Sequence, residues 1–505
     1  MTATTFGAAF AAAASAQPDS YFTVFSEVRP SRERLADIHA AGQRLGSRMI
    51  QAGIVPGDRI AVMLPNWREW LVCAVACAHA GAVILPVVTI YGAKELGFIL
   101  RQSGARWLFT PNHWRGVDYA AVVAECGELP ELERHVSLGA TFDRMEGEGA
   151  VLPAVTTAPD DLAMLVYTSG TTADPKGVKH SHRSLLAELA VQQATRGHVE
   201  HEVVLSPWPP GHVAGALSML RFLVNAVPVV AMDQWDPAAA ARLIEEHRVT
   251  SSSGTPFHLS GIIEAGDRDG RNLSSLVSYL VGAAPVPSAL VERSIAQGIA
   301  VYHCYGSSEH PTVTSGTADD PLDKQLHTEG RVMAGSELRF VDDDGHDVPP
   351  GAEGEIATRG PELFVGYYDE ALNAAAFLPG GWYRTGDIGR LDDDGYLLIT
   401  DRKKDIIIRG GEHISSKEVE ELLLNLPQVA EVAVVAAKDE RMGEVVHAVI
   451  VPRPGQALTL DAIRSHFAAA GIAKQKTPER LTLTEALPRN ATGKILKHLL
   501  RDRVA

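Results

Sequence analysis

The chain has 505 residues, more than one hydrophobic core usually serves, so two or more domains are expected. Its 46 Lys and Arg residues face 62 Asp and Glu residues, and the formal net charge of −16 argues against a scaffold for nucleic acid or an anionic membrane. The four cysteines follow neither a disulfide framework nor a zinc-ribbon spacing, which is typical of a reducing compartment.

Neither a secretory signal nor a transmembrane segment is predicted. Residues 1–20 are rich in alanine but place no Lys or Arg ahead of their apolar residues, so we expect a cytoplasmic location. The longest apolar run, 71–91, approaches the length of a membrane span, yet His79, Gly81 and Pro86 divide it into a short helix and a strand. We therefore interpret this run as buried core.

The first two-thirds of the chain alternate strand-like and helical segments. Short β-branched runs are separated by stretches rich in alanine and leucine, and the predicted strands are 59–64, 83–88, 107–110, 227–232 and 277–281. This alternation predicts α/β layers around parallel sheets.

From about residue 330 the pattern changes to short strands with Gly and Asp turns, which predicts an antiparallel or barrel-like portion. A charged link at 403–405 then precedes a final block of the usual domain size. There Ser415 and Glu418 fit a helix capping box, and strands are predicted at 430–437 and 445–451. We therefore divide the chain into domains at 1–402 and 403–505, the second a small α+β unit.

A loop with the sequence YTSGTTADPKGV, at 167–178, has the chemistry to hold a polyphosphate. Glycine lets backbone N–H groups approach an anion, hydroxyls donate further hydrogen bonds, and a lysine neutralises charge. Composition alone favours an ordinary solvated loop. The common nucleotide-triphosphate loop is excluded, because Gly170 precedes Lys176 by six residues and Gly177 follows the lysine.

Five further motifs follow this loop in a fixed order: GAAP at 282–285, YGSSEH at 305–310, GWYRTGDIGR at 381–390, DRKKDIIIRGGEHISSKEVE at 401–420 and PRNATGKI at 488–495. Together they resemble the adenylate-forming superfamily of acyl-CoA synthetases, luciferases and peptide-synthetase adenylation domains, over essentially the whole chain. The resemblance implies an α/β fold in which a large N-terminal domain of two α/β lobes plus a β-barrel is hinged to a small C-terminal domain. It also implies two reactions, formation of an acyl-adenylate from ATP and transfer of the acyl group to a thiol.

By this resemblance, the first loop cradles the β- and γ-phosphates of ATP during adenylation. The residues concerned are Thr168, Ser169, Gly170, Thr171, Thr172 and Lys176. The chain departs from the family at Ala173, where glycine is usual. Compared with glycine, alanine at this position costs little conformational free energy if its φ is negative and more if its φ must be positive.

The resemblance also assigns the nucleotide and metal contacts. The adenine pocket would be lined by Gly282, Ala283 and Ala284, and the segment Tyr305, Gly306, Ser307 and Ser308 would supply an aromatic face and a hydroxyl for the α-phosphate. Glu309 would hold Mg²⁺, Asp387 would accept hydrogen bonds from the ribose, and Arg402 would assist on the ribose and phosphate side. The structural alternatives are a strand-end turn at 282–285 and a solvated carboxylate at Glu309.

The resemblance assigns the mobile parts to the end of the chain. Lys404 aligns with the hinge position, Gly410 and Gly411 resemble the loop that approaches the pantetheine tunnel, and Lys494 would be the adenylation lysine. A solvated charge pair at 403–404 and a helix-cap role for Lys494 are the alternatives.

Acid selection is expected at 206–215, at 254–256 and along the strand before Tyr305. Amino-acid-activating relatives carry an aspartate in the first segment, whereas this chain has an apolar wall there, Trp208, Pro209, Pro210, Val213 and Ala214. We therefore expect a non-amino, apolar acid of medium-chain, cyclic or aryl type, as in fatty-acid metabolism. His212 is either a catalytic gate to the acyl pocket or packing, and Gly211, Gly215 and Gly282 are expected to leave room for a ring.

Free coenzyme A is the expected acceptor, because no carrier-protein or condensation domain is attached. Two alternatives remain open: an acyl-AMP ligase that loads a separate carrier protein, and a non-catalytic nucleotide-binding homologue. Lysines at both reacting phosphates argue against the second. Association of two identical chains is also left open.

Overall fold

The structure is a computed structural model. It describes residues 3–147, 149–168, 175–196, 201–282, 286–490 and 493–504. The fold is mixed α/β, with a large N-terminal domain and a smaller C-terminal domain. Its α-helices are, in chain order, Phe6–Ala16, Leu35–Gln51, Arg68–Ala80, Ala93–Ser103, Tyr119–Ala124, Ala140–Glu146, His182–Arg196, Val213–Asn225, Pro237–His247, Pro256–Asp269, Ser288–Ala296, Leu322–His327, Asn373–Ala376, Ser416–Leu424, Leu460–Ala469 and Lys497–Val504.

The largest sheet has nine strands, of which the central ones are parallel. Valine-rich strands packed on both faces suit such a buried arrangement. In spatial order the strands are Arg331–Val332, Thr314–Ser315, Ala300–Tyr305, Ser278–Gly282, Ser251–Gly254, Val204–Ser206, Val229–Met232, Tyr21–Phe25 and Ser31–Arg34.

A second sheet of seven strands is parallel on one side and ends in antiparallel strands on the other. Its strands are Gly366–Tyr367, Lys176–Ser181, Leu162–Thr168, Val83–Pro86, Arg59–Val62, Trp107–Thr110 and Arg134–Ser137. The predicted strands of both sheets are confirmed, with ends shifted by up to two residues.

The long apolar run is buried core, as predicted. It folds as the helix Arg68–Ala80, which ends where Gly81 takes a left-handed φ of 68°, followed by the strand Val83–Pro86. Cys73 and Cys77 are buried within this helix. No helix in the described ranges is long and apolar enough to cross a membrane.

A third sheet is antiparallel, as the Gly and Asp turns predict. Its strands are Glu337–Val341, Gly354–Arg359, Trp382–Leu391, Phe377–Leu378 and Leu397–Arg402. A short ribbon pairs His113–Trp114 with Val117–Asp118. The third sheet places the segment 381–390 beside the end of the strand Ala300–Tyr305, because Tyr305 packs with Ile356 and Leu397.

The C-terminal domain has its own sheet and hydrophobic core. The strands are Glu412–Ile414, Ile407–Arg409, Gly443–Pro452, Val429–Asp439 and Arg480–Leu483. The hydroxyl of Ser415 caps the helix Ser416–Leu424 by accepting from the N–H of Glu418, as expected. The prediction that the Glu418 side chain completes the capping box is wrong. Its carboxylate instead accepts two hydrogen bonds from Lys476 Nζ, each 2.7 Å long.

Candidate active site

The two ends of the predicted phosphate loop lie on neighbouring antiparallel strands. Thr168 ends the strand Leu162–Thr168, Lys176 begins the strand Lys176–Ser181, and the two residues are paired across the ladder. This strand pairing therefore holds the loop's two predicted end residues side by side. The other predicted loop residues lie outside the described ranges: Ser169, Gly170, Thr171 and Thr172, together with Ala173.

A tyrosine that the motifs did not single out connects the phosphate-loop lysine to the predicted metal ligand. Tyr367 belongs to a short strand and is paired with Val178, which lies two residues after Lys176 on the neighbouring strand. The Lys176 ammonium lies 5.2 Å from the centre of the Tyr367 ring, and the Tyr367 hydroxyl donates a 2.7 Å hydrogen bond to Glu309 Oε1. Lys176 and Glu309 are therefore both in contact with the side chain of Tyr367.

The segment from Tyr305 to Glu309 is a tight turn after a central strand. At Gly306 a Cβ atom would lie 1.9 Å from the Pro311 carbonyl oxygen, so only glycine fits. The Ser307 hydroxyl accepts from the backbone N–H of Glu309 at 3.2 Å and of His310 at 3.3 Å. This turn directs Glu309 inward, where its exposed fraction is 8%.

A second unpredicted residue, His180, supports the same turn from the strand of Lys176. The Ser308 carbonyl lies 2.8 Å from His180 Nε2, so that nitrogen is the donor, and Nδ1 then accepts from the Ser184 hydroxyl at 3.2 Å. Burial lowers the pKa of His180 to about 4, so the ring is neutral near pH 7. No spacing rule identifies this histidine, because its partner is 128 residues away.

The three residues predicted to hold the nucleoside lie together. The Asp387 carboxylate accepts a 2.8 Å hydrogen bond from the Tyr305 hydroxyl and a 2.5 Å bond from Arg402 Nε. The pairing of Asp387 with Arg402 follows from strand register. Burial and the neighbouring carboxylate raise the pKa of Tyr305, so its hydroxyl remains a donor.

The adenine-pocket prediction is only partly described. Gly282 ends the strand Ser278–Gly282, whereas Ala283 and Ala284 lie outside the described ranges. The expectation that three glycines leave room for a ring is wrong. A Cβ atom would lie 2.5 Å from Val88 N at Gly211, 2.0 Å from Pro209 O at Gly215 and 2.8 Å from Cys304 Sγ at Gly282. These glycines permit close packing of neighbouring chain segments.

Lys494 reaches the N-terminal domain on a compact turn. The Asn490 side chain accepts from the Lys494 N–H at 2.9 Å, and Gly493 takes a left-handed φ of 80°. Arg489 donates to the Gly493 carbonyl at 2.5 Å, and its guanidinium carbon lies 5.7 Å from the centre of the Phe257 ring. These contacts hold the turn against the N-terminal domain.

Charges of the cluster around Asp387 act on Lys404 and Lys494, the two lysines that were predicted to belong to a mobile region. Burial, and after it the positive charge of Arg402, lower the pKa of Lys494 to about 8. The same two causes lower the pKa of Lys404 to about 8. The structure thus gathers Arg402, Lys404 and Lys494 around the buried carboxylate of Asp387, and an anionic ligand would stabilise such a group of cations.

Two other predicted elements are not joined to this cluster. His212 precedes the helix Val213–Asn225, its Nε2 is buried with no hydrogen-bond partner among the described residues, and burial lowers its pKa to about 4. Gly410 and Gly411 form the turn between two C-terminal strands, and the Gly410 N–H donates to the Met442 carbonyl. Their contacts in this arrangement lie within the C-terminal domain.

Two cavities are lined by residues of other predicted site segments, and not by His212, Gly410 or Gly411. One, of about 480 Å³, has Lys176, Tyr367 and Tyr383 in its wall. The other, of about 380 Å³, is lined along the nine-stranded sheet by Leu280, Ala300, Tyr302 and Met333, with polar groups such as Ser278 and Thr195 among them. Of the three segments predicted to select the acid, the strand before Tyr305 lines this second cavity.

Comparison with known protein families matches most of the chain. Residues 10–368 match the AMP-binding enzyme family, and residues 418–494 match the C-terminal domain of AMP-binding enzymes.

Individual relatives cover nearly the full length. The chain is 37% identical to the medium-chain fatty-acid–CoA ligase of Escherichia coli K12, over 92% of this chain and 84% of that protein. It is 34% identical to the feruloyl-CoA synthase of an Amycolatopsis species, over 93% of each chain. Among solved structures it is similar to the o-succinylbenzoate coenzyme A synthetase of Bacillus subtilis in complex with ATP and a magnesium ion, with a TM-score of 0.83, 27% identity and 98% of each chain covered.

Proposed function

Since the chain belongs to the AMP-binding enzyme family, we propose that it works through an acyl-adenylate in two consecutive steps. It is an acid–thiol ligase that joins a carboxylic acid to coenzyme A with consumption of ATP. In the first step a carboxylate oxygen bonds to the α-phosphorus and the bond from that phosphorus to the bridging oxygen breaks, releasing pyrophosphate. In the second step the thiol loses its proton, its sulfur bonds to the acyl carbon, and AMP leaves.

The first step needs positive charge at the phosphates as the leaving group departs. We assign Lys176, with the loop residues Thr168 to Thr172, to the β- and γ-phosphates. We assign Lys494 to the α-phosphate and the attacking carboxylate. The placement of Lys494 within the field of Arg402 and Asp387 supports this assignment.

We assign the nucleoside to the cluster around Asp387. In this proposal Tyr305 presents its ring to adenine beside Gly282, and the Asp387 carboxylate accepts from the ribose hydroxyls while Arg402 holds it in place. The turn of Gly306, Ser307 and Ser308 faces the α-phosphate. The hydrogen bonds from Tyr305 and Arg402 to Asp387 support this reading.

The residues fit a magnesium ion at Glu309. One carboxylate oxygen is held by Tyr367, and among the described residues the other accepts no hydrogen bond. Mg²⁺ prefers such hard oxygen ligands and is usually held by one or two carboxylates together with substrate phosphates. When bound, the ion would neutralise charge on the departing phosphates.

For the second step we propose that the C-terminal domain turns about Lys404. The proposed rigid parts are an N-terminal domain, 1–402, with two α/β lobes and a β-barrel, and a mobile domain, 403–505. Rotation would withdraw Lys494 and bring Gly410 and Gly411 toward the path of pantetheine. Cytoplasmic ATP and coenzyme A would supply the reaction, and buried thiols such as Cys73 suit that reducing compartment.

We propose a non-amino acid with an apolar medium-chain, cyclic or aryl body, held in the cavity beside Ala300 and Tyr302. The hydrocarbon of Leu280 and Met333 supports an apolar body, and about 380 Å³ is within the range of small-molecule sites. His212, which is neutral near pH 7 because burial lowers its pKa, does not line this cavity, and we assign it to the carboxylate end of the bound acid.

One observation carries the proposal: the charges of Arg402 and Asp387, in the N-terminal domain, act on Lys494, which belongs to the C-terminal domain. The test is pyrophosphate release with ATP and Mg²⁺ across straight-chain, cyclic, aromatic and amino acids, each with and without coenzyme A. We expect release with non-amino acids that increases with coenzyme A and yields AMP and a thioester. Release indifferent to coenzyme A would indicate a carrier-loading ligase, and absence of release with every acid would contradict the proposal.

A further inference from the structure

The strand that carries the phosphate-loop lysine and the short strand paired with it also hold the turn of Glu309. Lys176 and His180 lie on the strand Lys176–Ser181, and Tyr367 lies on the short strand paired with it. From this strand pair, Tyr367 contacts the Glu309 carboxylate and His180 contacts the Ser308 carbonyl, at 2.7 Å and 2.8 Å. The turn is therefore fixed at both its side chain and its backbone.

Further contacts restrict the movement of Tyr367, His180 and the turn of Glu309. The Glu309 carbonyl accepts a 2.8 Å hydrogen bond from the Phe364 N–H, just before the Tyr367 strand. Tyr367 is 4% exposed and packs edge-to-face against the ring of Phe364, at 5.0 Å between ring centres. His180 has no exposed surface. A buried side chain with two satisfied contacts has few alternative rotamers.

We propose that Tyr367 and His180 are positioning residues that hold the Glu309 carboxylate in register with Lys176, so that one strand pair sets the place of the metal ion relative to the phosphates. This inference rests on the proposed function, since it takes Glu309 as the magnesium ligand. The Tyr367 hydroxyl occupies Oε1 and leaves Oε2 for the metal ion. The His180 bond prevents the turn from moving away from the strand.

The test measures metal binding directly, without turnover. Mn²⁺ is titrated by electron paramagnetic resonance in the presence of a non-hydrolysable ATP analogue. Removing the partner of a metal-ligating carboxylate typically weakens metal binding by about 10- to 100-fold. We therefore expect the Kd of Mn²⁺ to rise by about that factor in Tyr367→Phe, which keeps the ring beside Lys176 and removes only the hydroxyl.

His180 is tested by a matched pair of variants. His180→Gln places an amide N–H near the position of Nε2 and should retain most of the Mn²⁺ affinity, whereas His180→Leu should lose about tenfold or more. A role confined to packing would favour leucine over glutamine, because leucine is apolar and this site is buried. Better Mn²⁺ binding by His180→Leu than by His180→Gln would therefore overturn the assignment of His180.

Tyr396→Phe is the control for the tyrosine variant. Tyr396 also donates from its hydroxyl to a carboxylate, Asp320 Oδ1 at 2.9 Å, so the same atom is removed at a place outside the site. Its Mn²⁺ affinity should equal that of the parent protein. Equal Mn²⁺ affinity in Tyr367→Phe and Tyr396→Phe would overturn the assignment of Tyr367.

Glu309→Gln separates this inference from the proposed function. If Glu309→Gln binds Mn²⁺ as the parent protein does, then Glu309 is not the metal ligand and the proposed metal site fails along with its supports. If Glu309→Gln loses Mn²⁺ but Tyr367→Phe and His180→Leu keep it, the metal site stands and the positioning inference fails.

Discussion

The two groups of charged residues that we propose for catalysis are held in different ways. Lys176 and Glu309 are held inside the N-terminal domain by strand pairing and by the buried tyrosine between them. Lys494 comes from the other domain on a turn whose contacts with the N-terminal domain include the exposed ring of Phe257. In the proposed mechanism the first group stays in place, whereas the position of Lys494 depends on the orientation of the C-terminal domain.

This difference has a consequence for the two steps. In the proposed mechanism, Lys176 and Glu309 keep their positions whichever way the C-terminal domain is oriented, so changes there should affect nucleotide or metal binding generally. Lys494 should matter only in the orientation that forms the adenylate. The predictions below follow from this contrast.

The largest effect is expected for Lys494→Ala. Removing an electrostatic donor from a transition state typically costs about 100- to 1,000-fold in rate, so adenylation should slow by that factor. Thioester formation from preformed acyl-adenylate should change much less. Both rates are measured in separate single-turnover assays, with Lys474→Ala, an exposed lysine of the same domain, as the control. Equal losses in both steps would contradict the contrast.

Asp387→Asn should impair both steps alike. The variant leaves Arg402 without its carboxylate partner and weakens a charged hydrogen bond to the ribose, a type of bond whose loss corresponds to about 10- to 100-fold in affinity. We expect AMP and ATP to bind more weakly by that factor, measured by calorimetry. Asp323→Asn, on an exposed helix, is the control. A loss confined to adenylation would place Asp387 with the mobile group instead.

The pH dependence of adenylation should reflect Lys494. Its pKa is lowered to about 8, so the ammonium is charged below that pH and loses its proton as the pH rises. We expect kcat/KM for adenylation to be level below pH 8 and to fall about tenfold per pH unit above it. Bound ATP should move the corresponding fall in kcat to higher pH, because phosphate charge stabilises the ammonium.

Lys404 is the control for this profile, because its pKa is also lowered to about 8. Lys404→Gln should keep the alkaline fall in adenylation. A profile that instead rises with pH, or a fall that disappears in Lys404→Gln, would assign the titration to a different group.

The smallest effect is expected for Phe257→Ala. The free energy of a cation–π contact at an exposed site corresponds to about a two- to fivefold change in an equilibrium or a rate. Adenylation should therefore slow by that factor, because Arg489 loses its contact with the Phe257 ring. Leu322→Ala removes a comparably exposed apolar side chain elsewhere and should have no effect. A slower thioester step in Phe257→Ala would show that this ring serves the acceptor as well.

Sequence predicted the parts of the site that local motifs define. The clustering of Tyr305, Asp387 and Arg402 was anticipated because each lies in a recognisable motif. Tyr367 and His180 were missed, since their contacts join positions 58 and 128 residues apart and depend on strand pairing that periodicity does not specify. The sequence feature that could have pointed to Tyr367 was the GYY tripeptide at 366–368, which follows a segment, 360–365, where no strand is predicted.

The predictions that were wrong depended on which residues are neighbours in space, and the composition of a segment does not give its spatial neighbours. Gly211 and Gly215 were expected to open space, but Gly211 lies against the backbone of Val88 and Gly215 against the backbone of Pro209. Glu418 was expected to complete a capping box, but Lys476 offers it a charged partner from a distant turn. In both cases the outcome depended on residues brought close only by the folded chain.

A single turnover of the parent protein tests the central claim most directly. Enzyme in excess over labelled acid is mixed with ATP and Mg²⁺ and quenched, and coenzyme A is added to a parallel sample afterwards. The account predicts acyl-adenylate and pyrophosphate in the first sample, converted to thioester and AMP in the second. Formation of ADP and phosphate, or no acyl-adenylate until coenzyme A is present, would contradict it.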